Sequence, residues 1–231
     1  MAERPVFMPS PVDTELVTEP SFQLTWNSGF AAVQKEKNIK ALHEAAERQG
    51  YSPLLEVSTK SEEKLGRHLS AFHLKVRTGR LGEIPLECAF QGSKVFTGGG
   101  PYTDLYDAEV RVAKRDHRLQ NSGPLQGFIF DGFSFPLEPK TAFYDWLYVG
   151  VIYEHRHWLT RLYRYAGFTD IEFNPSKSVN CQARSCALFV TLMRRGLLES
   201  AVASPRAFID LIKKYSYPAN GPSFALPQGT P

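Results

Sequence analysis

Cysteine is scarce in this chain of 231 residues, where Cys88, Cys181 and Cys186 are the only three and no two form a CxxC pair. The odd count and the missing pair argue against a disulfide framework and against a thiolate zinc site, and point to a reducing, cytoplasmic setting. Long apolar runs are missing too. None reaches the roughly 18 residues a membrane span needs, and the opening MAERPVFMPSPVDTELVTEP lacks the unbroken apolar core of a signal peptide, so a soluble protein is expected. Nor does one sign of charge dominate: 27 basic and 24 acidic residues leave +3, so any nucleic-acid contact has to come from a local patch. Histidines are few, and the neighbours His155 and His157 point to different faces of a helix. No metal and no other cofactor are expected.

What is present is enough apolar residue, 42%, for one sizeable core. Proline spacing marks residues 1–20 as an extended surface arm, 21–215 as the folded domain and 216–231 as a flexible tail. Helix formers run from 29 to 49 and stop at Gly50, where a left-handed cap is cheap. Short strands are expected at 53–59, 72–77 and 82–87, and a hairpin over 127–138 turning at Asp131-Gly132. Further helices are expected over 86–96, 104–119 (capped by Thr103 or Asp104), 141–165 (begun by Thr141), 180–198 (Asn180 as N-cap) and 205–214 (begun by Ser204-Pro205). With more helix than strand, no βαβ alternation and no repeat, the fold class is α+β, helix-rich around a small sheet.

Three stretches can carry chemistry. In LECAFQGSKVF (86–96), Glu87, Gln91 and Lys94 fall at i, i+4 and i+7, one face of a helix. Gly92 and Ser93 beside them would let a ligand approach the backbone. That face is either a pocket wall or the solvated side of an ordinary amphipathic helix. Gly98-Gly99-Gly100 before PYTDLY either aims N–H groups at a phosphate or is a plain turn. Arg111, Lys114, Arg115 and Arg118, at i, i+3, i+4 and i+7, form a basic ridge that fits a polyanion or simply faces water.

LGRHLSAFHL (65–74) followed by PLECAFQGSKVF (85–96) resembles the NADAR family, with its LSNF segment and VEHxFQxxK-like helix. Leu69, Ser70 and Phe72 match the first motif, and Glu87, Phe90, Gln91 and Lys94 the second. AKRDHR (113–118) is similar to the family's AKxLGR through Ala113, Lys114 and Arg118. The sequence departs from the pattern at Ala71, where the family has Asn, and at Cys88, where it has His. The later Trp-containing segment is represented only by FTDIEFNPSKSVNCQAR (168–184), with Asp170 and Asn180 as counterparts. The whole looks most like the NADAR antitoxins paired with DarT-type toxins, which implies a single NADAR-like domain with an N-terminal extension.

The resemblance implies hydrolysis of an N-glycosidic bond, and for this branch removal of ADP-ribose from guanine bases in DNA. Glu87 would then be the acid/base, Lys94 an amine nucleophile or a phosphate ligand, and Asp170 a further catalytic carboxyl. Ser70, Phe72, Gln91 and Asn180 would bind the ADP-ribose, with its diphosphate near Lys114, Arg118, Gly99 or Gly100, and Arg111 and Arg115 would meet the DNA. The implied partners are ADP-ribosylated DNA, ADP-ribose as product and a cognate DarT-type toxin. Two other readings stand beside this one: an inert reader of ADP-ribose or modified DNA, and an N-glycosidase acting on a small riboflavin-pathway intermediate.

Overall fold

A computed structural model describes residues 1–29 and 31–216. The tail expected over 216–231 lies, apart from Ser216, outside the described residues. Mixed helices and short strands make the molecule α+β, as expected, but the strands form five separate small sheets among the described residues, not one. No helix among them is long and apolar enough to cross a membrane.

The N-terminal segment is extended but is part of the core. Ala2–Pro5 pairs antiparallel with Ser21–Leu24, and Met8–Pro9 pairs with Val17–Thr18. Between them Val6 and Phe7 are buried, and Phe7 exchanges backbone hydrogen bonds of 2.9 and 2.8 Å with Phe168. The Ala32–Glu47 helix buries Asn38, Ile39, Leu42, Ala45 and Ala46, a spacing of three and four that lays one stripe against Val6, Phe22 and Leu24. This is a satellite core.

The larger core lies between the Ala142–Tyr153 and Gln182–Arg194 helices and the aromatic hairpin. The two helices are pinned at their starts, where Asp145 accepts from Arg184 at 2.7 Å and from Ser185 Oγ at 2.5 Å. The hairpin of Leu125–Phe130 and Phe133–Phe135 turns at Asp131 and Gly132, both at positive φ, as the Asp-Gly pair predicts. Gln182–Arg194 begins at Cys181, so Asn180 lies outside the helix and is not its cap. The expected 141–165 helix breaks after Tyr153 into two single turns, Arg156–Leu159 and Thr160–Arg164.

Two corrections bear on the site. The helix expected over 86–96 ends early: Leu86–Gly92 is helical, and Lys94–Phe96 is a strand that joins the hairpin sheet, with Lys94 opposite Phe128. Gly92 is required by a protein neighbour, not a ligand, because a Cβ there would lie 2.7 Å from the Tyr106 ring. The helix expected over 104–119 is three short turns, Thr103–Asp107, Val110–Ala113 and Arg118–Asn121, and Thr103 and Asp104 cap nothing. Its break has a local cause: the Asp116 carboxylate accepts the Arg118 backbone N–H at 2.9 Å and holds the same residue's guanidinium, ending the preceding turn.

Candidate active site

Every residue of the Leu86–Gly92 helix is buried, including Glu87 at 7% exposure and Gln91 at 8%. The apolar members anchor it: Phe90 packs edge-on to Tyr144 at 5.2 Å and against Phe128 at 5.6 Å. Glu87 faces a cleft, where its Oε2 lies 3.5 Å from Nζ of Lys114. Lys94 comes to the same cleft by another route. Its strand begins two residues beyond the helix, and its side chain turns back so that Nζ donates to Gln91 Oε1 at 2.7 Å and lies 4.8 Å from the Phe90 ring. Burial lowers the Lys94 ammonium to about 8; the nearby Glu87 carboxylate opposes that drop and Lys114 adds to it.

The opposite wall comes from the segment after the Gly167–Thr169 strand. Asp170 Oδ2 accepts from Gln182 Nε2 at 3.0 Å and Oδ1 from the Glu172 N–H at 3.0 Å, while Gln182 Oε1 takes the Ala71 N–H at 2.7 Å. Gln182 thus ties the Ser70–Phe72 turn to Asp170. Burial raises the Asp170 carboxyl above the usual range. Tyr148 OH fixes the same turn from below by donating to the Leu69 carbonyl at 2.7 Å.

A cavity of about 300 Å³ brings Phe72, Glu87, Lys114, Asp170 and Asn180 together. A second, of about 590 Å³, shares Glu87, Lys114 and Asn180 and adds Gln91, Lys94 and Lys140. Asn180 Oδ1 and Ser70 Oγ are buried with no hydrogen-bond partner in the protein, an arrangement that costs about 1–3 kcal/mol per group unless something pairs with it. A third cavity, of about 460 Å³, meets the first at Phe72 and Lys114 and is lined by Lys60, Arg111 and Arg115. Phe72 is 39% exposed at this junction, with Lys114 Nζ 5.0 Å from its ring.

Glu87, Gln91, Lys94, Asp170, Phe72, Lys114 and Asn180 therefore share one cleft, with Ser70 in the turn beside it and Arg111 and Arg115 in the adjoining basic cavity. Arg118, Gly99 and Gly100 are not brought in. Arg118 leaves the ridge at the Asp116 break, where it pairs with Asp104 at 2.6 Å and Asp116 at 2.9 Å. Glycine N–H groups are used within the turn: Gly98 donates to the Ser122 carbonyl at 2.9 Å and Gly99 to that of Phe96 at 3.4 Å. Gly100 lets this turn back onto the Lys94 strand, since a Cβ would sit 2.3 Å from the Lys94 carbonyl oxygen. Of the departures from the NADAR pattern, Cys88 points away from the cleft and donates to the Ala108 carbonyl at 3.2 Å. Sequence reasoning missed Gln182, Tyr144, Lys60 and Lys140. Only Gln182 carried a signal, as the amide in the same segment as Asp170 and Asn180.

Among the described residues no group of three or more His, Cys, Asp or Glu side chains is arranged to hold a metal ion. No curated protein matches the chain. The family model described as DarT1-associated NADAR antitoxin matches residues 2–221. With its strands, both cores and the whole cleft inside that match, the chain belongs to the family of DarT1-associated NADAR antitoxins.

Proposed function

We propose that the protein is an N-glycosidase that removes ADP-ribose from guanine bases in DNA, reversing the modification made by a DarT-type toxin. The observation that carries this reading is the meeting of Glu87 and Lys94 in one buried cleft opposite Asp170, with the basic cavity next to it. A ribose C1–N bond breaks when the leaving nitrogen is protonated and positive character at C1 is stabilised. Glu87 serves as the acid that protonates the guanine amino nitrogen and then as the base that activates water. Asp170, clamped by Gln182 and the Glu172 N–H, stabilises charge at C1 from the opposite wall.

With its ammonium lowered to about 8, Lys94 has a neutral fraction at neutral pH that can attack C1 of the ring-opened ribose while that carbon is still doubly bonded to the guanine nitrogen; guanine leaves as its free amine, and water activated by Glu87 then hydrolyses the Lys94 Schiff base to release ADP-ribose. Gln91 aims that amine. The unpartnered Asn180 oxygen and the Ser70 hydroxyl are suited to ribose hydroxyls, and Lys114 to the diphosphate. Lys60, Arg111 and Arg115 fit the phosphates of the DNA strand. Incubation with an oligonucleotide carrying ADP-ribose on guanine, followed by mass spectrometry, tests the proposal. Free ADP-ribose and unmodified DNA are expected; an intact adduct held by the protein would favour an inert reader.

A further inference from the structure

A second buried carboxyl lies behind the cleft. Glu56 ends the Leu54–Glu56 strand opposite Thr169 and is only 3% exposed. Its Oε1 meets Ser58 Oγ at 2.6 Å and the Ile171 N–H at 2.9 Å, and its Oε2 meets Thr169 Oγ1 at 2.7 Å. Thr169 and Ile171 are the two neighbours of Asp170, so one carboxyl grips the chain on both sides of it. The contact continues outward, since Thr169 Oγ1 lies 2.9 Å from His43 Nε2. Glu56 and His43 both line a cavity of about 500 Å³ whose lining includes none of the cleft residues.

We propose that Glu56 is the positioning residue for Asp170, and that the Glu56–Thr169–His43 chain links the back of the active cleft to a separate cavity. The inference rests on the reading that Asp170 works in an ADP-ribose cleft. Burial, and then the neighbouring Asp170 charge, raise the Glu56 carboxyl, while burial lowers His43 to about 4. Both shifts favour the neutral forms. As a carboxylate Glu56 accepts from Thr169 Oγ1; as a neutral acid it carries its proton on Oε2 toward Thr169, and the Thr169 hydroxyl then turns its own hydrogen to His43 Nε2. The other titratable groups facing this chain are Cys181 at the start of the Gln182–Arg194 helix and Glu63, with Lys40, Glu44, Glu47 and Glu62 across the cavity. Ionising Glu56 strengthens the bonds it accepts from Ser58, Ile171 and Thr169, but the larger effects, the burial of the charge and its repulsion with Asp170, favour opening of the segment as pH rises toward the raised value.

The test uses full-length wild type, Glu56→Gln and Glu56→Ala, with ADP-ribose affinity followed by calorimetry as pH is raised, and amide exchange read at Ile171. Gln keeps the acceptor for the Ile171 N–H and offers an NH₂ to Thr169, so it copies the neutral acid. Wild type should lose affinity and exchange Ile171 faster as Glu56 ionises, whereas Glu56→Gln should lack that component at every pH. Lys94 titrates in both proteins, so the difference between them isolates Glu56. Glu56→Ala should bind about tenfold more weakly. Coincident pH courses for wild type and Glu56→Gln would overturn the proposal, and that comparison decides it even where Glu56→Ala does not fold. If wild type binds no ADP-ribose at any pH, the reading of the cleft fails, and Ile171 exchange alone still decides: faster exchange in alkaline wild type than in Glu56→Gln supports the positioning role, and equal rates overturn it.

Discussion

Lys94 is the residue whose chemistry the fold alters most. An exposed lysine is almost wholly protonated near neutral pH; this one is half-buried against Phe90 and held by Gln91, with its ammonium lowered to about 8. The neutral fraction therefore climbs as pH rises through that value. Borohydride added during turnover should trap a mass increase on the peptide containing Lys94, with a yield that rises through about pH 8 and levels off above it. Lys94→Ala should give no adduct. Turnover without any trapped adduct, with Lys94→Ala raising only KM, would make the lysine a substrate ligand. At this scale Glu87, Gln91 and Lys94 are legible in the sequence, because their motif lies within eight consecutive residues. Glu56 is not, because a single acid in the apolar run PLLEVST takes its meaning from Thr169 and Ile171, more than a hundred residues away.

At the scale of elements, the cleft depends on the two core helices keeping their register, and the pair Asp145–Arg184 sets it. Asp145 is almost fully buried and also holds Ser185, so Asp145→Ala takes one of two carboxylates from Arg184, which keeps Glu19 at 2.7 Å, and leaves the Ser185 hydroxyl only its longer bond to the Cys181 carbonyl at 3.3 Å. Thermal or denaturant unfolding should show a loss of about 1–3 kcal/mol. A loss under about 1 kcal/mol would mean that the pair is dispensable, as surface ion pairs are. Elements with local causes were legible in the sequence. The Asp131-Gly132 hairpin and the Pro205–Ser216 helix, whose Ser204 Oγ accepts the Ala207 N–H at 3.1 Å, came out where expected. The misjudged boundaries have causes that are tertiary or depend on one side chain. Lys94 leaves helical periodicity because its strand pairs with Phe128, and the basic ridge ends because Asp116 turns on Arg118.

For the molecule as a whole, charge is nearly balanced, and the basic cavity beside Phe72 is a local concentration of cations: Lys60, Arg111, Lys114 and Arg115. If DNA lies there, Arg111→Ala with Arg115→Ala should weaken binding of modified DNA far more than of free ADP-ribose. It should also flatten the dependence of log affinity on log salt by about 1 to 2. Equal losses on both ligands would instead assign these arginines to the diphosphate. The central claim is that the cleft cuts the sugar–base bond and does not merely hold the modified base. The measurement that tests it most directly is a single-turnover time course of ADP-ribose release from a guanine-modified oligonucleotide, run with wild type and Glu87→Gln and paired with the affinity of each for the substrate. Glu87→Gln keeps the shape of the acid but cannot exchange its proton, so the account predicts near-wild-type affinity and a rate lower by about 10²–10⁴. Release by Glu87→Gln at the wild-type rate would contradict it.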